Sequence, residues 1–252
     1  MQDGQQEFVF EEPELLPWAK QIVVFDTETT GLNLQTSRIV TACVAELDAE
    51  GQLATPALEW LADPEVEIPT SASDVHGITT EMARDMGRPA KEVVAEILAA
   101  LRGYLERGIP VVAYNAPYDF TILHWEAIRH GLTPLDPRPI LDPLVMDRAV
   151  DQFRKGKRRL ENAAQFYGVE LSDAHNATAD AVASGRVLQA MVRKFGSKLS
   201  SDVNAVHDAQ VQWSAAQEAS FAKWMRSNVN PDFVENIGWP LKLAAGDAGA
   251  VD

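Results

Sequence analysis

Positive charge is scarce in this chain of 252 residues. Lys and Arg total 22 against 37 for Asp and Glu, which gives a formal net charge of −15. Non-specific binding to nucleic acid depends on basic residues that neutralise phosphates, so this balance excludes a protein that coats nucleic acid through its overall electrostatic field.

The chain has one cysteine, Cys43, which excludes an internal disulfide. The acidic start predicts no secretion leader, and no apolar run approaches about 20 residues. We therefore expect a soluble, cytoplasmic protein without a membrane span.

Hydrophobic residues make up 46% of the sequence, which is enough for a large core. Residues 1–19 are polar, acidic and interrupted by proline, and they predict a flexible lead-in. Alternating strand and helix patterns over residues 20–196 predict one domain, which we expect to be catalytic. Residues 197–252 differ in composition and predict a C-terminal helical extension and tail.

The extension carries an aromatic stripe. Within the extension, four large apolar residues roughly share one helical face, namely Val206, Trp213, Phe221 and Trp224. Such stripes usually pack against the rest of the protein, which is the interpretation we favour. The alternative is a surface that binds a polymerase or another protein partner.

The hydrophobic pattern predicts a mixed α/β domain with a five-stranded sheet. Three β-rich stretches near the start form an antiparallel meander, at residues 22–25, 38–47 and 53–61. Two later strands, at residues 111–114 and 140–141, alternate with helices, as parallel strands do. The predicted order is βββαβαβαα, with helices flanking the sheet.

Two acidic residues close the first predicted strand. Asp26 and Glu28 are two positions apart, and such positions point to the same face of a strand. Both carboxylates can therefore approach one cation, although an acidic pair at a strand end is also a common cap or turn feature. Gly31 follows closely and permits a close approach of the backbone to a ligand.

Three further residues extend this set. Asp119 lies between a predicted strand and helix, where it can cap the helix, bind a metal or do both. His175 and Asp180 are separated by five positions, or about 140° on a regular helix. We therefore expect His175 in the loop before the helix and Asp180 in its first turns. Four carboxylates and an imidazole are suited to two divalent metals and a base, which predicts a nuclease that cuts phosphodiesters.

Three short motifs carry these residues in order: DTETTG at 26–31, NAPYD at 115–119 and HNATAD at 175–180. Together with HGIT at 76–79 and the stretch 160–169, they resemble the DEDDh, or DnaQ-like, 3′–5′ exonucleases. Within that family the chain resembles the proofreading exonucleases of bacterial replicative polymerases. The resemblance covers about residues 20–196 and implies a ribonuclease H-like fold.

The resemblance also implies an activity: release of 5′-mononucleotides from the 3′ end of single-stranded or frayed nucleic acid, with DNA favoured. It implies two divalent cofactor ions, Mg²⁺ or Mn²⁺. Asp26, Glu28 and Asp180 are expected to bind the first ion. Asp26 also holds the second, and Asp119 supports the site directly or through water. His175 is the expected general base, which suits an imidazole with an ordinary pKa of about 6.5.

The same resemblance implies contacts with the substrate. Thr27, Thr29 and Gly31 are expected to pack on the terminal nucleotide, with Leu32 as an apolar wedge against its base. His76 and Asn115 are expected near the sugar and phosphate. A turn histidine and a structural asparagine are equally good interpretations of those two residues.

Positions near the second motif depart from the family's usual pattern. Tyr114 stands where many relatives have histidine, and Pro117 and Tyr118 are also atypical. The basic run at 154–159 includes Arg158, for which we expect a contact with phosphates upstream of the cut; a solvated loop is the alternative.

Three functions remain open. The first is a DNA exonuclease of replication or repair, which the DTETTG form of the first motif favours. The second is an enzyme of the same fold that trims RNA or degrades oligoribonucleotides. The third is a non-catalytic scaffold whose C-terminal region binds a partner, and the presence of all five catalytic residue types disfavours it.

Overall fold

A computed structural model describes residues 14–171 and 176–243. In these ranges six strands form one sheet, in the order β4-β3-β2-β1-β5-β6. The strands are β1 Ile22–Thr29, β2 Ile39–Leu47, β3 Leu58–Asp63, β4 Arg88–Pro89, β5 Val111–Val112 and β6 Ile140–Leu141. The helices are α1 Thr70–His76, α2 Thr80–Met86, α3 Ala90–Glu106, α4 Pro117–Arg129, α5 Pro143–Val150, α6 Leu160–Tyr167, α7 Ala177–Phe195 and α8 Val203–Asn228.

The sheet combines the two predicted kinds of strand pairing. β1 pairs antiparallel with β2, and β2 pairs antiparallel with β3. On its other side β1 pairs parallel with β5, which pairs parallel with β6. The predicted mixed α/β architecture is thus confirmed. The expected number of five strands is wrong by one in the described part of the chain, because Arg88–Pro89 pairs parallel with β3. A strand of two residues is too short to show an alternating hydrophobic pattern, so nothing in the sequence indicated β4.

The third predicted strand, at residues 53–61, is displaced in the structure. Leu53 makes a single bridge to Leu47, and continuous pairing begins only at Leu58. Pro56 lies between them and has no backbone N–H to donate to a strand ladder. The interruption therefore has a local chemical cause.

Apolar residues pack on both faces of the sheet. On one face β1 contacts α4, where the rings of Phe25 and Phe120 lie with centroids 5.4 Å apart. Each fully buried side chain of this size contributes about 1.5–3 kcal/mol to folding. On the other face α7 crosses β1 at Gly185, where an added Cβ would lie 2.5 Å from Val24 Cγ1. The long helix and the central strand therefore pack as closely as glycine allows.

The last residues of the expected lead-in are packed in the core. Leu15, Trp18 and Ala19 are buried, and Trp18 Nε1 donates a hydrogen bond of 3.0 Å to Ser200 O. Residues 1–13 lie outside the described part of the chain. The proposed boundaries at 1–19, 20–196 and 197–252 stay predictions.

The C-terminal extension is helical, as expected, and closes the β6 edge of the sheet. Ile140 N donates to His207 Nδ1 at 3.0 Å, and Asp142 N donates to Gln210 Oε1 at 2.7 Å. Farther along, the buried Trp239 lies near Asp142, with Nε1 3.4 Å from its Oδ2. Side chains from a helix and a loop thus replace the next strand at this edge.

The aromatic stripe of α8 divides into two halves. Val206 is 1% exposed and Trp213 packs against the core, as the packing interpretation predicts. Phe221 and Trp224, in contrast, are 48% and 54% exposed. Among the described helices, α8 included, none is long and apolar enough to cross a membrane.

Candidate active site

The carboxylates of the first and third motifs converge. β1 continues to Thr29, so Asp26 and Glu28 lie within one strand and point to the same face. Asp180 lies in the first turn of α7, which packs across β1. One ligand oxygen from each of these three residues lies within 4.8 Å of the others. The structure therefore brings together three predicted ligands from distant parts of the sequence.

Asp119 approaches the same site from α4. Ala116 occupies the N-cap position of this helix, so the interpretation of Asp119 as the cap is wrong. The Asp119 carboxylate is 2% exposed and accepts hydrogen bonds from Thr27 N at 3.0 Å and Thr27 Oγ1 at 2.8 Å. Thr27, between the two acidic residues of β1, therefore fixes the direction of this carboxylate.

The site concentrates negative charge in a poorly solvated place. Burial, followed by the charges of Asp119, Glu28 and Asp180, raises the pKa of Asp26 well above its usual range. Burial and the charges of Asp180 and Asp119 raise the pKa of Glu28 to about 7. A group of carboxylates that repel one another in this way is stabilised by a bound cation.

The start of α7 positions Asp180. Asn176 is the N-cap, and its Oδ1 accepts hydrogen bonds from Thr178 N and Ala179 N at 3.0 and 3.3 Å. Asp180 N donates to Asn176 O at 2.9 Å, so the carboxylate projects from a capped first turn. His175 lies outside the described residues, and its role as a base stays a prediction.

The turn after β1 includes residues that are expected to contact the nucleotide. The Gly31 carbonyl accepts hydrogen bonds of 2.8 Å from Thr29 Oγ1 and from the Tyr118 hydroxyl. Leu32, the next residue, is 86% exposed and free to contact a ligand. Tyr118 therefore holds the turn that presents Leu32. Its position next to Asp119 was the only signal in the sequence for this role.

His76 lies in the same cavity as Glu28. The cavity, of about 550 Å³, is also lined by Trp60 and Thr178. Burial lowers the pKa of His76, and its Nδ1 accepts a hydrogen bond from Ile78 N at 3.2 Å. A neutral imidazole beside the site is consistent with either a turn residue or a ligand contact.

Asn115 has a structural task in its backbone. It adopts a φ of 65°, and its N–H donates to Asp142 Oδ1 at 3.0 Å. Ala116 N donates to the other carboxylate oxygen of Asp142, also at 3.0 Å. Asp142 is also the N-cap of α5, where its Oδ1 accepts a hydrogen bond from Leu144 N at 2.9 Å. The structure shows that it also fixes the turn leading into α4 and hence to Asp119.

Comparisons with known proteins identify the family of this arrangement. The family model RNase_T, described as Exonuclease, matches residues 23–188. The chain belongs to this exonuclease family. This match confirms the DnaQ-like exonuclease family that the motifs predicted.

Relatives of this exonuclease family include replication proteins. The chain is 30% identical over 158 residues to the DNA polymerase III subunit epsilon of Treponema pallidum, covering 62% of this chain and 69% of that protein. It is 28% identical over 189 residues to a PolC-type DNA polymerase III of Caldanaerobacter subterraneus, covering 74% of this chain and 13% of that protein.

Solved structures of the family share the fold. E. coli exonuclease I in complex with a dT13 oligonucleotide has a TM-score of 0.59 and 20% identity, over 71% of this chain and 42% of that chain. This similarity shows the ribonuclease H-like fold expected for the chain. The chain thus spans less than half of exonuclease I and a small part of PolC.

Arg158 is directed into the protein. Its Nη1 contacts Asp147 Oδ2 at 2.5 Å, and its Nη2 donates to Asp151 O at 2.6 Å. Arg154 contacts the same Asp147 oxygen at 2.5 Å. Two guanidinium groups of the basic run therefore stabilise a buried carboxylate. The exposed cations of this run are Lys155, Lys157 and Arg159.

The residues of the site fit a divalent cation. Asp26, Glu28 and Asp180 offer hard oxygen ligands close enough to share one ion. Burial, followed by the charges of Asp180 and Asp119, raises the pKa of Glu28, and a bound cation would offset this penalty on its ionised form. The structure thus supports a metal-binding site at this acidic cluster.

Proposed function

We propose that this protein is a metal-dependent 3′–5′ exonuclease. It hydrolyses phosphodiester bonds at the 3′ end of single-stranded or frayed nucleic acid and releases 5′-mononucleotides. The cluster of Asp26, Glu28 and Asp180 beside the oriented Asp119, in a chain of an exonuclease family, carries this proposal. The DNA polymerase names of the relatives support DNA as the substrate and replication or repair as the setting.

Four carboxylates divide the binding of two ions, Mg²⁺ or Mn²⁺. Asp26, Glu28 and Asp180 would hold one ion and Asp26 would also hold the second, with Asp119 supporting the site directly or through water. Bound ions of this kind activate water and stabilise the attacking and leaving oxygens of a phosphodiester. The hydrogen bonds from Thr27 keep Asp119 in a single orientation for this task.

Other residues of the chain position the substrate and transfer a proton. Thr29 and Gly31 form a turn that Tyr118 holds in place, and the exposed Leu32 packs against the terminal base. His76 lines the adjoining cavity, from which it can contact the sugar or phosphate. His175 accepts a proton from the attacking water, a step that contributes about 10²- to 10⁴-fold to such reactions.

The decisive experiment follows single nucleotides released from 3′-labelled strands. Asp26→Asn should abolish release with Mg²⁺ or Mn²⁺ while the folded protein keeps its circular dichroism spectrum. Asp208→Asn is the matched control, because Asp208 lies on the surface in an ion pair with Arg138. Cleavage by Asp26→Asn at the wild-type rate would disprove the mechanism.

Two further comparisons refine the proposal. His175→Ala should retain metal binding, measured by calorimetry, and lose most of its turnover. A His175→Ala enzyme as fast as wild type removes the base assignment. Parallel assays on single-stranded DNA, RNA and mismatched duplex of the same sequence determine the substrate. Faster cleavage of RNA than of DNA would favour the RNA-trimming alternative.

A further inference from the structure

The second half of α8 presents aromatic rings to solvent. Gln217 still anchors the helix, since its Nε2 donates to Val145 O at 3.0 Å. Beyond it, the rings of Phe221 and Trp224 stack with centroids 6.3 Å apart and an interplanar angle of 23°. Phe233 contacts Phe221 edge-on at 5.6 Å and supports it from the returning chain. The two rings thus form an ordered, exposed pair.

These rings line a cleft of about 840 Å³ between α8 and the α5 region. α8 contributes Phe221 and Trp224 to its lining. Arg148 comes from α5, and Gln152 lies two residues after the end of α5. Arg148 is exposed. Glu218 also lines the cleft, and its Oε1 lies 3.4 Å from Lys242 Nζ, so its charge is paired. The cleft therefore combines aromatic faces with an exposed cation that is unpaired among the described residues, the two groups that bind bases and phosphates of a single strand.

Positive charge is concentrated beside this cleft. Six of the 22 Lys and Arg of the chain fall within residues 148–159, against one acidic residue, Asp151. Arg154 and Arg158 are engaged with Asp147, but the others are exposed. Phe153, in the same segment, is 88% exposed. This is a local cationic surface on a protein whose net charge is −15.

The cleft lies toward the catalytic end of the sheet. His207 contacts Ile140 of β6, Gln210 contacts Asp142 after it, and Gln217 contacts Val145. α8 therefore runs in the direction of β6 and continues past its carboxyl end. β1, β5 and β6 are parallel, so this is the end at which Asp26 and Glu28 lie.

Two contacts connect the cleft with the proposed nucleotide site. The Tyr114 hydroxyl donates to Arg158 O at 2.7 Å, and Tyr114 directly precedes the NAPYD motif. Lys242 lines the cleft and also a hollow of about 310 Å³ that Leu32 lines. A strand whose 3′ end lies at Leu32 can thus pass Lys242 and enter the cleft.

The geometry points to a binding surface for the single strand upstream of the cleaved nucleotide, on which Phe221 and Trp224 stack bases and Arg148 contacts phosphate. The inference rests on the proposed exonuclease function. Recognition is independent of sequence, because every base has a π face and every linkage has a phosphate. The neighbouring cations favour this occupant over an apolar protein surface.

The test compares a long and a minimal substrate with Mn²⁺: the oligonucleotide dT20 and the p-nitrophenyl ester of thymidine 5′-monophosphate. Trp224→Ala should lower kcat/KM for dT20 by about 5- to 150-fold, mainly through KM, because one stacked base is lost. Hydrolysis of the ester should be unchanged. Trp224→Phe, which keeps a ring, should restore much of the activity on dT20.

Removing the charge of Arg148 tests its proposed contact with phosphate. Arg148→Ala should reduce the slope of log binding constant against log salt concentration by about 0.7, the value for one phosphate contact on a single strand. The matched control is Arg107→Ala, an exposed arginine at the end of α3. The control should leave the slope at its wild-type value; equal slopes in Arg148→Ala and wild type contradict the phosphate contact.

Direct binding separates this inference from the proposed function. Fluorescence anisotropy of 5′-labelled dT20 measures affinity without turnover. If neither substrate is hydrolysed, the exonuclease proposal fails, yet weaker dT20 binding by Trp224→Ala still supports the cleft. If Trp224→Ala matches wild type in both dT20 affinity and kcat/KM, the inference is overturned and the rings are assigned to a protein contact.

Discussion

At the scale of single residues, Asp147 is the buried charge on which the basic segment depends. Its side chain is fully buried, and Arg154, Arg158 and Tyr167 all contact its carboxylate. Burial alone raises the pKa of such a group, but the hydrogen bonds from the two arginines and Tyr167 lower the pKa of Asp147 below its usual range. The ionised form therefore stabilises the fold.

We expect Asp147→Asn to lower the free energy of unfolding at pH 7 by about 3 kcal/mol, because two guanidinium groups lose their buried partner. Since the folded pKa is depressed, the contribution is present above the unfolded pKa of about 3.9 and is lost as the pH falls through the folded pKa. Urea unfolding at pH 7 and below pH 4 measures the difference, which should shrink in acid. Asp151→Asn is the control, and a constant difference across this range contradicts the assignment.

Residue-scale predictions from sequence succeeded where chemistry follows local geometry. The period of two along a strand is enough to predict that Asp26 and Glu28 share a face. The orientation of Asp119 depends on Thr27, which is 92 positions away, and no local pattern contains that contact. Arg158 belongs to a charge run typical of a solvated or phosphate-binding loop. Its inward direction is set by Asp147, which the sequence pattern did not distinguish from other acids.

At the scale of elements, α8 serves as a replacement strand. Gln210 accepts from Asp142 N at 2.7 Å and donates from Nε2 to Ile140 O at 3.0 Å. A buried backbone group without a partner costs about 1–3 kcal/mol, so this one side chain satisfies a substantial requirement of the β6 edge. It also links the extension to Asp142, which fixes the turn before α4.

Gln210→Ala should therefore destabilise the protein by about 2–4 kcal/mol, since two backbone groups lose their partners. Chemical unfolding measures this change, and amide hydrogen exchange should show faster exchange at Asp142. Gln212→Ala, at an exposed position on the same helix, is the matched control and should change stability little. Equal stability of the two variants argues against the role of Gln210 in closing the edge.

Long, periodic elements were predictable and short ones were not. α3, α4 and α7 are long enough to show a clear helical period, and the predicted order of strands and helices includes them. α1, α2 and β4 are too short to show a period, and in α1 no residue is buried. These short elements depend on the tertiary structure around them.

At the scale of the whole molecule, the acidic cluster makes stability depend on pH and metal. The pKa of Glu28 is raised to about 7 in the folded protein, above the ordinary value of 4.5. The folded state then binds more protons than the unfolded state between these values. Without metal, stability should fall as the pH rises from about 4.5 to about 7 and then level off. In Glu28→Gln this contribution should be absent, as thermal unfolding in EDTA across that range would show.

Metal should reverse this effect. A ligand at 100 times its dissociation constant stabilises the folded state by about 2.7 kcal/mol, which corresponds to roughly 5–10 °C in a domain of this size. Mg²⁺ or Mn²⁺ should therefore raise the melting temperature of wild type at pH 8, and chelation should reverse the rise. Glu28→Gln should show a much smaller shift. A shift of equal size in Glu28→Gln contradicts the metal site.

Because α7 crosses β1 closely at Gly185, the affinity of the metal site depends on the spacing between this helix and the sheet. Alanine at this position places a methyl group 2.5 Å from Val24 Cγ1, so α7 must retreat and carry Asp180 away from Asp26. Calorimetric titration of Gly185→Ala with Mn²⁺ should show weaker binding although every ligand is retained. The rise in the dissociation constant for Mn²⁺ would then report that one added methyl group has displaced the helix from the sheet.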